Sequence, residues 1–171
     1  MPISDYMREI RERIGTRLLE VPSVTILCFD GEDRLVLVRH SEDGRWTIPG
    51  GAVEPHEVPS DAAVREMWEE TGLHVELLSI LGAYGGPEFQ TTYRNGDVVS
   101  FLMTVFLARA KGGALRPDEQ EILEVGAFTQ QEIRALDMAP WAPRVIENAY
   151  ANREAPYFDP PVWRPPGSAT G

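Results

Sequence analysis

The chain has 171 residues, enough for one domain, and its 43% hydrophobic and 25% charged residues are those of an ordinary soluble globular protein. A net charge of −11 argues against a partner such as long nucleic acid, whose phosphates need a basic surface; it leaves room for a small nucleotide arriving with metal ions. No apolar run of about 18 residues and no basic-then-apolar leader is present, and the single Cys28 forms no internal disulfide, so no membrane partner is expected and the cytoplasm is the default location.

In chain order, residues 5–19 read as an amphipathic helix, with Tyr6, Ile10, Ile14 and Leu18 at near-helical spacing among Arg and Glu, and Pro22 closing the segment. Residues 24–29 and 35–38 are apolar strands joined by the turn Asp30-Gly31-Glu32-Asp33, which makes a hairpin. A polar loop, 41–45, leads into Trp46-Thr47-Ile48-Pro49-Gly50-Gly51.

The stretch 50–73 is the part of the chain around which the rest is organised. A loop carrying Gly50, Gly51 and Glu57 passes Pro59 into a helix with Ser60 as the expected N-cap, Asp61 in the first turn and Gly72 as a left-handed stop. At 3.6 residues per turn Glu66, Glu69 and Glu70 share one face, expected to look outward, while Ala63, Val64, Met67 and Trp68 share the opposite one and anchor the helix. A solvated charge run is the bland explanation. Against it, like charges at i and i+4 cost roughly 0.2–0.5 kcal/mol, and the last helical turn disfavours acids by about 0.3–1 kcal/mol. Something doubly positive would relieve both costs, and hard carboxylate oxygens suit Mg²⁺ or Mn²⁺.

The order Gly51, Glu57, Arg65-Glu66-Met67, Glu69-Glu70, Gly72-Leu73 resembles the Nudix box at every defined position. The odds of a random match in a chain this long are on the order of 10⁻⁷. The resemblance implies hydrolysis of a nucleoside diphosphate linked to another moiety, with Mg²⁺ or Mn²⁺ as cofactor held by Glu66, Glu69, Glu70 and the Gly50 carbonyl. It also implies that Glu57 and Arg65 pair to hold the loop against the helix. The phrase before the box is common in Nudix domains. Arg39, His40 and Arg45 lie near the site in sequence as candidates for substrate phosphates; His40 has no second His or Cys at metal-ligand spacing.

After the helix, 74–81 alternates as a strand, followed by a loop rich in Gly and aromatic residues, in which Tyr84, Phe89 and Tyr93 are candidates to stack on a base or to pack. Pro87 lies close to, though not at, the position where ADP-ribose-cleaving Nudix subfamilies carry a proline. Asn95-Gly96 signals a turn, 98–108 a long buried strand, and Lys111-Gly112-Gly113 another turn. The acidic loop 116–124 is expected to supply a further carboxylate, Glu121 before Glu119, with Glu124 on the surface. A short strand, 125–128, precedes a capping box, Thr129-Gln130-Gln131-Glu132, and a short helix; a last helix covers 138–150. The segment from Ala155 is Pro-rich, yet Tyr157, Phe158 and Trp163 argue that its first part docks.

These readings give an α/β fold, a Nudix-type sandwich with a mixed sheet, divided as 1–20 (N-terminal helix), 21–152 (catalytic domain) and 153–171 (tail). The terminal segments are candidates for a homodimer contact. Two rivals stand beside the hydrolase: a nucleotide-sensing module that does not cleave, and a metal-stabilised structural protein. Loss of a box acid would favour the sensor, and none is lost.

Overall fold

The computed structural model describes residues 4–118 and 120–165. The helix α1 spans Asp5–Ile14, capped by the Ser4 side chain and stopped at Gly15, which turns with φ 62°. It is shorter than the pattern suggests and buries none of its side chains, because Leu19 already opens a strand. Arg11 pins it, its guanidinium donating to the carbonyls of Gly15, Arg17 and Val98.

One mixed sheet organises the rest. Its strands are β1 (Leu19–Phe29), β2 (Leu35–His40), β3 (Trp46–Thr47), β4 (Gly50–Ala52), β5 (Leu73–Tyr84), β6 (Gln90–Thr92), β7 (Val98–Gly113) and β8 (Ile122–Phe128). The spatial order is β3-β2-β1-β7-β5, with β4 beside β1, β6 beside β7 and β8 beside β2. Parallel pairing of β1 with β7 runs from Leu19↔Val99 to Phe29↔Arg109. On its other side β1 meets β2 only at Phe29↔Leu35, which frees Ser23 to Thr25 to pair with β4. That split is what brings Gly50 and Gly51 into the sheet.

The sheet overrides two expectations from the sequence. Pro22 does not end a segment; it lies inside β1, its carbonyl accepting from the Val53 N–H. Lys111-Gly112-Gly113 is not a turn, because β5 pairs β7 as far as Leu73↔Gly113. A Cβ on Gly113 would overlap the Gly72 backbone, so this glycine serves a close approach of chains.

Apolar layers cover both faces, the sandwich expected. On one face Leu27, Leu37, Leu81 and Phe89 pack under Ile133 of α3 (Gln130–Ile133) and Val145, Ile146 and Ala149 of α4 (Ala142–Ala151). On the other, Val24, Ile26, Cys28 and Val36 pack under Ala62, Ala63 and Met67 of α2 (Pro59–Thr71). The Thr129 capping box opens α3 as read from sequence. α4 starts at Ala142, later than expected, with Pro143 in its first turn, where a missing N–H costs nothing. The tail docks through Tyr157, which exchanges main-chain hydrogen bonds with Leu81 and Ala83 and stacks on Tyr84, while Phe158 and Trp163 stay exposed. Among the described residues no helix is long and apolar enough to cross a membrane.

Candidate active site

The helix α2 begins two residues earlier than the sequence suggests. Pro59 occupies the first turn, where its lack of an N–H is harmless, so the N-cap falls on Val58 and not on Ser60. Gly72 ends it at φ 73° with its N–H on the Trp68 carbonyl, as expected. The rotation about the axis differs more. Glu66 and Glu70 are 4% and 7% exposed, whereas Val64 and Trp68 are 40% and 48% exposed. The acid face therefore turns inward beside the packed residues Ala62, Ala63 and Met67, against β4 and the end of β2. Only Glu69 is half-exposed on the rim.

The loop before the helix is fixed by one guanidinium. Arg65 donates from Nε and Nη2 to the two carboxylate oxygens of Glu57, both at 2.9 Å. Nη2 also donates to the Ala52 carbonyl, and Nη1 bridges Glu66 at 2.7 Å and Glu69 at 3.0 Å. Glu57 in turn accepts from the Glu54 N–H, closing the loop on itself. With Arg65 first among its causes, the Glu57 carboxyl is held below the usual carboxylate range. The pairing implied by the box is thus formed.

Glu70 has a different environment. Its Oε2 accepts from the Gly50 N–H at 3.0 Å, and its Oε1 lies 3.9 Å from His40 Nε2. Burial pushes the Glu70 carboxyl well up and the neighbouring Glu66 charge pushes it further; the Gly50 N–H opposes both. Glu66 is raised as well, by burial first, with Arg65 opposing. Burial depresses His40, which keeps the imidazole from serving as a firm cation for Glu70. Gly51 faces Glu66 so closely that a Cβ would overlap the carboxylate, and a Cβ on Gly50 would overlap the Val24 carbonyl. Both glycines are demanded by the approach of β4 to β1 and α2.

A cleft of about 270 Å³ opens over these acids, lined by Glu66, Glu69, Glu70, Arg116, Asp118 and Glu121. Its outer wall is the loop before β8. That loop is docked on the end of α2 by Arg116 N–H to Thr71 O, and on the end of β2 by Ser41 N–H to Glu121 O. Asp118 Oδ1 accepts from the main-chain N–H groups of Gln120, Glu121 and Ile122.

The donor set suits a hard divalent cation: two desolvated carboxylates, one without a firm counter-cation, beside a backbone strand and a rim of further acids. Among the described residues no three ligand side chains converge as they stand. Arg65 Nη1 engages Glu66 and Glu69, while Glu70 has no such partner.

The structure brings together Gly50, Glu66, Glu69, Glu70 and Glu121, with Glu57 and Arg65 behind them. Other candidates lie elsewhere. Tyr84 and Phe89 are buried in the opposite apolar layer, edge to face with each other, and so are not available to a base on the acid side. Arg39 is paired with Glu124, and Arg45 lies 3.6 Å from Asp137. Glu119 falls outside the described residues. Arg116, which the acidic character of its loop obscures, also lines the cleft; a single cation amid acids is the signal that marks it. The exposure of Trp68 has no such signal in the sequence.

A family model for the NUDIX domain matches residues 19–149. A MutT-like protein of Streptomyces ambofaciens is 30% identical over 142 residues, which is 83% of this chain and 84% of that protein. Diphosphoinositol polyphosphate phosphohydrolase 3-alpha of Mus musculus is 46% identical over 82 residues, but the match covers only 46% of this chain and 48% of that protein. Among solved structures, a NUDIX hydrolase from Nitrosomonas europaea superposes with a TM-score of 0.65 at 25% identity, covering 81% of this chain and 93% of that one.

Proposed function

The chain belongs to the Nudix hydrolase family, and from that premise we propose that it cleaves a phosphoanhydride bond in a nucleoside diphosphate linked to another moiety, with Mg²⁺ or Mn²⁺ as cofactor. The observation that carries this reading is the buried pair Glu66 and Glu70, where Glu70 has one main-chain N–H and no firm cation. A desolvated carboxylate beside a like charge is retained at a cost to stability, and ligation recovers that cost. Glu66, Glu69, Glu70 and the Gly50 carbonyl would hold the ion. When bound, it neutralises the diphosphate and lowers the pKa of an attacking water.

The remaining work falls to this chain's own groups. Arg65 holds Glu57 and fixes the loop, so that Gly50 and Gly51 stay beside the acids. Glu121 takes the water's proton: it lines the cleft opposite the box acids, with its N–H and carbonyl both held. His40, kept neutral by burial, leaves the negative charge of Glu70 to the ion.

The test is a panel of ADP-ribose, nucleotide sugars and nucleoside triphosphates, incubated with the protein without a divalent cation, with Mg²⁺ and with Mn²⁺. Metal-dependent release of a nucleoside monophosphate or pyrophosphate from at least one is expected. Hydrolysis of none with either cation, or hydrolysis unchanged by a chelator, contradicts the reading.

A further inference from the structure

The outer wall of the acid cleft carries a cation with no task in the chemistry above. Arg116 is the single Lys or Arg among the described residues lining the cleft, which otherwise presents the carboxylates of Glu66, Glu69, Glu70, Asp118 and Glu121. The other arginines near the site are committed: Arg65 to Glu57, Glu66 and Glu69, Arg39 to Glu124, Arg45 to Asp137. Among the described residues no hydrogen bond or ion pair reaches the Arg116 side chain. Asp118, on the same loop, is engaged instead by main chain, its Oδ1 accepting from the N–H groups of Gln120, Glu121 and Ile122.

The position of Arg116 is nevertheless well defined. Its N–H donates to Thr71 O at 2.9 Å. Beside it the chain passes so near Gly72 that a Cβ there would lie 2.6 Å from Ala114 O and 3.3 Å from the Arg116 Cβ. The loop is therefore seated on the end of α2 by main chain and Cβ atoms. An exposed guanidinium at the rim of an acid-lined cleft meets an anion more readily than any neighbour does, and its planar fork matches two phosphate oxygens.

We propose that Arg116 is a specificity-determining residue of this cleft, its guanidinium binding a phosphate of the nucleoside diphosphate on the side away from the box acids. The assignment rests on the hydrolase reading for the identity of its ligand. One cation suits a substrate with two or three linked phosphates. A ring carrying many phosphates would need several.

The experiment is titration calorimetry of ADP in Mg²⁺ with wild type, Arg116→Ala and Arg116→Lys, alongside thermal melts and steady-state kinetics on whichever substrate is cleaved. The alanine variant keeps the Cβ and the bond to Thr71, so its melt and its Mg²⁺-induced melt shift are expected to match wild type. Its Kd for ADP is expected to rise roughly 10–100-fold, with partial recovery in the lysine variant. KM should rise in parallel while kcat stays within about threefold. A Kd within about twofold of wild type in Arg116→Ala, or a lost Mg²⁺-induced shift, overturns the assignment. If wild type binds ADP but cleaves nothing, the hydrolase reading fails and the Kd comparison still decides the role of Arg116. A wild type that binds no ADP overturns both.

Discussion

Glu57 and Glu70 belong to the same loop and helix, and their surroundings are opposite. Glu57 faces a bidentate guanidinium, accepts a main-chain N–H besides, and is held below the usual carboxylate range. Glu70 is buried against another carboxylate with one N–H and is pushed well above that range. The first is a clamp whose charges cancel within the protein. The second is an unfinished electrostatic arrangement, which the proposed cation would complete. Position within a motif does not distinguish the two; only the count of donors around each does.

The largest expected effect comes from breaking the unfinished side. Glu70→Gln is nearly isosteric and removes a ligand charge, so turnover should fall by about 10²–10⁴, the equivalent of several kcal/mol of lost stabilisation at the metal. Steady-state kinetics at saturating Mg²⁺ measure this. A variant with at least half the wild-type turnover would show that Glu70 is not part of the reaction.

Glu121→Gln sharpens the contrast by leaving the box acids intact. Its turnover should drop by roughly 10²–10⁴ if Glu121 is the base. The Mg²⁺-induced melt shift should persist, which no loss at Glu70 would allow. Near-normal turnover would return the proton to a box glutamate or to Glu119.

Breaking the clamp should act on stability first. Arg65→Ala leaves the buried Glu66 and the partly buried Glu57 without their cation, at a cost of about 1–3 kcal/mol after allowance for the solvent that reaches Glu57. Denaturant titration in the absence of metal measures it. An unchanged midpoint would mean that the loop is held by its main chain alone.

The smallest effect is a pH trend. A carboxyl raised in the folded state binds its proton more tightly there than in the unfolded chain. Its cost is thus fully present above the folded pKa and vanishes as pH falls toward the ordinary 4.5. His40, depressed on folding, acts the other way below its ordinary 6.5, so the informative quantity is a difference between proteins. Without metal, Glu70→Gln should be the more stable protein near pH 8, and its advantage should shrink to nothing near pH 4.5. A constant difference across that range would mean that Glu70 has no raised pKa.

Much of this was legible in the sequence, for physical reasons that can be named. The box acids stood out because like charges at helical spacing, late in a helix, are unfavourable without a counter-ion. The hairpin, the sandwich, the Gly72 stop and the Thr129 capping box follow from local rules that tertiary contacts did not override. The inward turn of Glu66 and Glu70 was hidden, because amphipathicity sends charges to solvent and cannot register a desolvation cost that a ligand repays. The same logic misplaced Val64 and Trp68. Tyr84 and Phe89 read as site aromatics only while the loop around them lacked a partner; α4 and the docked Tyr157 supply one. Pro22 and Gly113 misled because each was read as local punctuation where the sheet used it for pairing.

If a divalent cation completes the Glu66–Glu70 pair, adding that cation must stabilise the fold. Thermal melts of wild type and Glu70→Gln, each with and without several millimolar Mg²⁺, test it most directly. The account predicts an upward shift with Mg²⁺ in wild type, little or none in the variant, and a metal-free variant no less stable than wild type. A wild-type melt indifferent to Mg²⁺ and Mn²⁺, together with a destabilised variant, would make the acids a structural cluster and contradict it.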